Sequence, residues 1–130
     1  MSILRHQPVR IERHGDLSWS VVAYVCHVGD NLRIWAERLA GVALGAPATV
    51  AAFDENLLAQ ARVYDGVALT GALWSLERAA TQWVDAVGLA AEADVTLVHP
   101  ERGALSLRDV ILSNAHDVAH HRWDIERSLR

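Results

Sequence analysis

The sequence predicts an all-α protein, an antiparallel four-helix bundle with a short extended segment or hairpin before the last helix. Three observations carry this. Apolar residues recur at three- and four-residue spacing in long stretches separated by modest breaks. Only 3 prolines and 8 glycines interrupt a chain that is 52% apolar. One short stretch alone is β-branched enough to read as strand. At 130 residues the chain has the size of one domain around one core. Residues 1–130 are therefore read as a single domain, and one site is sought in it.

Residues 1–16 mix His, Arg, Glu and Pro with isolated aliphatic side chains and read as an extended lead-in. Residues 20–39 place Val21, Val25, Val28, Leu32, Ala36 and Leu39 on one helical face, with Ser20 as N-cap. Gly45, Ala46 and Pro47 break that helix, because proline cannot supply the next backbone donor. A second helix is predicted over 54–64, with Leu57, Leu58 and Ala61 apolar and Gly66 beyond its end. A third covers 69–87, where Leu69, Leu73, Leu76, Ala80, Trp83 and Val87 share a face and Gly88 reads as the stop. Residues 94–98 are short and β-branched, and 99–103, His-Pro-Glu-Arg-Gly, are turn chemistry. Ser106-Leu107-Arg108-Asp109 is a capping box that opens a last long helix ending near residue 129.

Composition removes several function classes. A net charge of −4 and a pI near 5.9 leave no basic stripe for nucleic acid. All 12 cationic residues are arginine, a bias of the kind that high-GC bacterial genomes produce. The longest uncharged stretches are too short and too rich in Ala and Gly to span a bilayer, and the N-terminus has no apolar region followed by a cleavage site. The expectation is a cytoplasmic protein without membrane or nucleic-acid partners. One cysteine, Cys26, excludes an internal disulfide framework and reads as a small core residue. There is no Gly-rich phosphate loop, no nucleophile elbow and no cysteine pair for zinc.

What remains is histidine. Of seven, three fall in the last helix at 116, 120 and 121, and His27 lies in the first. Residues at i and i+4 stand one turn apart on the same helix face, so such a pair and a residue from another helix can converge on a metal. Two pairs qualify, His116 with His120 and Asp117 with His121, and helical phase separates them. The apolar stripe Leu107, Val110, Ile111, Val118, Ile125 and Leu129 marks the inward side, and Asp117 and His121 flank it. His116 and His120 fall roughly opposite, near Leu112 and Trp123, and are expected to face solvent or a partner subunit. His27 shares a flank of the first helix with Tyr24, Asn31 and Trp35 and can reach inward.

His27, Asp117 and His121 are thus the candidate metal ligands, for a divalent Zn, Ni or Fe. A His, carboxylate, His set leaves coordination positions open, as a catalytic site requires. The plainer account makes His27 and His121 hydrogen-bonded interior histidines, with Asp117 and Asp124 paired to Arg122 or Arg33. Asn114, polar on the inward side, is expected to satisfy a backbone or histidine group. His6, His14 and His99 lie in predicted termini or loops and receive no role. The five tryptophans, at 19, 35, 74, 83 and 123, read as packing residues, some of which can line an apolar pocket at one end of the bundle.

These residues also carry a resemblance. Trp19-Ser20-Val21-Val22-Ala23-Tyr24-Val25-Cys26-His27-Val28, continued by Asp30-Asn31-Leu32-Arg33, resembles the opening helix of DinB-like proteins and of mycothiol-dependent maleylpyruvate isomerases. There a Trp and a hydroxyl residue precede a helix with a metal-binding His. The link from His99 through Asp109 is similar to that before the last helix in actinobacterial members, and His116-Asp117 to His120-His121 and on to Asp124-Ile125 resembles the signature of that helix. In the superfamily the second ligand of the last helix precedes an aliphatic residue by four, which selects His121 through Ile125. Asp117 then takes the place usually held by His, where the isomerase branch uses a carboxylate.

The resemblance spans residues 19–130 and implies a metal-binding bundle, often homodimeric. For some members it implies transfer or isomerisation with bacillithiol, mycothiol or a similar low-molecular-weight thiol. No counterpart of the isomerases' additional C-terminal domain is expected, so their substrate is not carried over. Two functions follow as expectations. One is a metal-dependent, thiol-using transferase- or isomerase-like protein; the other is a metal-free module that binds a small ligand or dimerises.

Overall fold

The computed structural model describes residues 19–129; the lead-in expected over 1–16 lies outside them. The chain is mostly helical. Four helices, α1 (Val21–Ala43), α2 (Glu55–Arg62), α3 (Leu69–Ala93) and α4 (Leu107–Ser128), are joined by a 3-10 turn after α2 (Tyr64–Gly66) and by a hairpin of β1 (Thr96–His99) and β2 (Gly103–Ser106) before α4. The hairpin falls before the last helix, where the sequence places a short extended segment or hairpin. No helix among the described residues is long and apolar enough to cross a membrane.

The caps fall where the sequence places them. The Ser20 hydroxyl accepts from the Ala23 backbone N–H at 3.3 Å and starts α1. Asp54 accepts from the N–H groups of Asn56 and Leu57 and starts α2. Ser106 and Asp109 close the expected capping box, at 3.1 Å from the Asp109 N–H and 2.9 Å from the Ser106 N–H. The ends are less well predicted. The third helix was expected to stop at Gly88 but runs on to Ala93 and stops at Asp94, which adopts the left-handed conformation at φ 52°. Glycine lacks a side chain to oppose helix, and the apolar face continues through Ala90, so the helix passes through it. A Cβ added at Gly88 would meet nothing within 4 Å. Gly88→Ala is therefore expected to stabilise the fold by about 0.5–1 kcal/mol, the helix-propensity difference; an unchanged or lowered denaturant midpoint would contradict this.

Helix directions follow from which ends share a core. Val21 to Cys26 pack with Leu69, Ala72 and Leu73 at the start of α3 and with Ile125 near the end of α4. Trp35, Ala36 and Leu39 pack with Ala86 and Ala90 late in α3 and with Val110 early in α4. So α4 runs antiparallel to α1, whereas α3 runs parallel to it. Residues 44–68 carry the chain back along the bundle before α3 begins, so α1 and α3 point the same way, as alternate helices of an up-and-down order do. The α3 face at this seam is built from Ala72, Ala79, Ala86 and Ala90, all buried, and Ala80, expected there, is exposed. Small side chains let the two long helices approach closely: a Cβ on Gly29 would lie 3.7 Å from the Leu76 Cα.

A buried carboxylate ties the periphery to α1. Asp30 receives the Tyr64 hydroxyl at 2.5 Å, Arg33 at 2.9 Å and the Arg62 guanidinium, and Arg33 also donates to Ser75 on α3. The hairpin is held on its outer side by residues 48–50, which pair with Val98 through 3.0 Å bonds in both directions. Its inner residues Leu97 and Leu105, opposite each other in the antiparallel register, enter the core cluster of Trp35 and Leu39. Cys26 is buried, and burial pushes its thiol up to about 11, in keeping with a core residue.

Candidate metal centre

Two rows of side chains face each other across the α1–α4 seam. On α1 they are Tyr24, His27 and Asn31; on α4 they are Asn114, Asp117, His121 and Asp124. Each row repeats at three- and four-residue steps, so it stays on one side of its helix. Because the helices are antiparallel, the early part of one row meets the late part of the other. His27 and His121 rings lie 4.6 Å apart nearly edge to face, and Trp19 covers both, at 4.9 Å from His27 and 6.4 Å from His121.

Asp117 sits between the two imidazoles. Its Oδ1 is 3.1 Å from His121 Nε2, and its Oδ2 is 3.6 Å from His27 Nε2. One ligand atom from each of His27, Asp117 and His121 lies within 4.8 Å of the other two. The structure thus brings together the three residues that the sequence singles out. The 3.6 Å separation is beyond hydrogen-bond range, and His27 Nε2 is buried with no hydrogen-bond partner among the described residues. An orphaned buried imidazole nitrogen is costly, and a nitrogen, a carboxylate oxygen and a second nitrogen around one point form the donor set that a borderline divalent ion takes.

The surrounding residues orient this set. The Asn31 amide donates to Asp117 Oδ2 at 3.2 Å and to Asn114 Oδ1 at 3.0 Å, and the Asn114 amide is anchored on the Val110 carbonyl at 2.9 Å. Asp124 approaches the other side of His121, 3.3 Å from Nδ1, without hydrogen-bond geometry. Electrostatics follow from these contacts. Burial alone would raise the Asp117 carboxyl, but the adjacent imidazoles of His121 and His27 outweigh it and hold the group well below the usual carboxylate range. For His121, burial favours the neutral ring, yet Asp117 and Asp124 prevail and raise its pKa.

His116 and His120 stay on the outer face with Leu112 and Trp123, all exposed, as helical phase predicts. Arg122 pairs with Glu126, and Arg33 with Asp30, so the pairing of Asp117 and Asp124 with those arginines does not occur; Asp124 lies near Arg127 instead. Asn114 bonds a backbone carbonyl, as expected, and an asparagine in place of a histidine.

Sequence reasoning missed the cleft beside the site. A pocket of about 280 Å³ opens from Asp117 and Asn31 past Trp35 and Arg38 to Phe53 and to His99 at the hairpin turn. His99 had been set aside as a loop residue. Its Nδ1 accepts from the backbone N–H groups of Glu101 and Arg102, at 3.1 and 3.2 Å, which leaves Nε2 as its donor. The available signal was the continuation of the α1 row from Asn31 to Trp35 and Arg38; no signal in the sequence joined the hairpin turn to it.

No curated protein and no solved structure matches this chain significantly. A protein-family comparison does match, over residues 4–125, to a family described as the DinB superfamily. That span includes both helices of the seam and the hairpin between α3 and α4. The resemblance read over residues 19–130 and the match over residues 4–125 agree: the chain belongs to the DinB superfamily.

Proposed function

We propose that this protein is a divalent-metal-dependent, thiol-using transferase- or isomerase-like member of its superfamily, acting in the cytoplasm as a homodimer of bundles, with His27, Asp117 and His121 as ligands for Zn, Ni or Fe. The observation that carries the reading is the convergence of their three ligand atoms around a buried His27 Nε2 that has no hydrogen-bond partner among the described residues. Three protein ligands would leave further coordination positions open, and Asp117 also lines the cleft. When bound there, a divalent metal would lower the pKa of a thiol and hold it as a thiolate. Asn31 orients the carboxylate, and Trp19 covers the two imidazole rings. Thiol use is supported by the resemblance to the mycothiol-dependent branch, and dimerisation by the exposed Leu112 and Trp123 on the outer face of α4.

A metal-free small-ligand module is the second reading, and one observation favours it: Asp117 pairs with His121 Nε2 at 3.1 Å and accepts from the Asn31 amide, both groups of the protein itself. The two readings differ in sign with pH. In metal-free protein the raised His121 pKa contributes stability that is complete below about 6.5 and is lost as pH rises through the folded-state value. The depressed Asp117 contributes stability present above about 3.9 and lost as pH falls through its folded-state value. Metal requires the neutral imidazole, so metal-derived stabilisation grows with pH over the range where the internal ion pair fades. Melting temperature between pH 6 and pH 9 is expected to fall in chelator-treated protein relative to a His121→Ala control, and the increment from added zinc is expected to rise. Elemental analysis of protein purified without chelator tests the reading directly; a chain that takes up no divalent ion even when supplied would leave the second reading.

A further inference from the structure

The far end of the cleft has a feature that the metal ligands do not explain. Arg38 extends from α1 between two aromatic rings, with its guanidinium 4.6 Å from the Trp35 centroid and 5.5 Å from that of Phe53. One terminal nitrogen donates to the Ala51 carbonyl. The other, Nη1, is buried and has no hydrogen-bond partner, and among the described residues no carboxylate pairs with this guanidinium. A stacked cation with a buried, unused N–H at a cavity wall is costly without an acceptor, and a ligand oxygen supplies one.

We infer that this cleft takes a small carboxylate-bearing ligand with an apolar or planar body, its carboxylate on Arg38 Nη1 and its body lying along the cleft towards Asn31. This assignment names the substrate class of the proposed metal centre and in that respect rests on that reading; the Arg38 anchor does not. Charge selects the type of anion. Arg102 and the donor of His99 border the cleft, but so do the exposed carboxylates Glu55 and Glu101. The rim therefore disfavours a dianion such as phosphate, while one unpartnered buried guanidinium nitrogen, Nη1, suits a monoanion. Size agrees, since about 280 Å³ is near the lower end for small-molecule pockets. Arg38 and Asn31, the residue that holds Asp117, are two helical turns apart on α1, roughly 10 Å at 1.5 Å per residue. A ligand anchored at Arg38 thus has its other end directed along the cleft towards the ligand cluster.

The test is calorimetric titration of the full-length protein, metal-free and zinc-supplied, with benzoate, its uncharged analogue benzamide, and inorganic phosphate. Benzoate is expected to bind both preparations and to exceed benzamide by about tenfold, the worth of one charge-assisted hydrogen bond. Arg38→Met, which keeps an apolar stem over Trp35, is expected to remove that preference. If this variant does not fold, the benzoate-to-benzamide ratio in the unaltered protein still decides. Equal binding of the two, no binding of benzoate, a preference that survives in Arg38→Met, or phosphate binding more tightly than benzoate would each overturn the assignment. Zinc retention without benzoate binding would remove the carboxylate pocket and leave the metal centre; Arg38-dependent benzoate binding by a chain that retains no metal would do the reverse.

Discussion

Asp117→Ala, purified without chelator, is expected to hold divalent metal only at background, against about one equivalent in the unaltered protein. Asp117 is the central member of the set, 3.1 Å from one imidazole and 3.6 Å from the other, and it supplies the only negative charge among the three. Without it, two neutral imidazoles remain, one of them in a buried position where an uncompensated dication is strongly disfavoured. His121→Ala is expected to have the same effect, since it removes both a ligand and the turn-spaced pairing on α4. Asn31→Leu is expected to be milder, a loss of about 10–100-fold in metal affinity, because it orients the carboxylate without being a ligand. Elemental analysis and a competitive chelator titration measure all three, with circular dichroism to confirm folding. Full metal retention by folded Asp117→Ala would end the metal-centre reading.

The second large effect is on stability. Leu97→Ala is expected to cost about 2–5 kcal/mol, a large part of the roughly 5–15 kcal/mol that holds a domain of this kind together. Leu97 has no exposed surface and meets Trp35, Leu39, Val110 and Leu105, so α1, α4 and both hairpin strands lose contacts at once. Refilling the space would require moving the hairpin, which is held on its other side by residues 48–50. The metal ligands belong to the opposite end of α1, so metal content in the folded fraction is expected to be unchanged, while benzoate binding weakens as His99 and Arg102 shift. A denaturant midpoint within experimental error of the unaltered protein would show that the hairpin does not depend on this contact.

Much of this was legible because periodicity and capping are local. Ser20, Asp54 and Ser106 announce their helices through hydrogen bonds within three residues, and the α4 stripe separates Asp117 and His121 from His116 and His120 by phase alone. The stop at Gly88 was misread because a glycine permits a helix end without requiring one; the αL residues that terminate α2 and α3 are Val63 and Asp94, and a β-branched Val63 at φ 52° carries no sequence signal for it. The close seam between α1 and α3 was not legible either, since it depends on the path of residues 44–68 through space. Of the site, residue types and spacing on α4 were readable, whereas the cleft was not: Arg38, Phe53 and His99 are brought together by the pairing of residues 48–50 with Val98, a contact across nearly fifty residues.

The two rows of the seam come from helices at opposite ends of the described chain, and Asn31 bonds residues 83 and 86 positions away. No segment shorter than nearly the whole domain contains the ligand set. Partly folded forms, in which α1 and α3 have paired but α4 has not docked, therefore offer a ligand nothing to grip. If an ion binds there as proposed, its occupancy would report completed folding, and it would act as a latch on the last helix, slowing its release from the bundle without hastening its arrival.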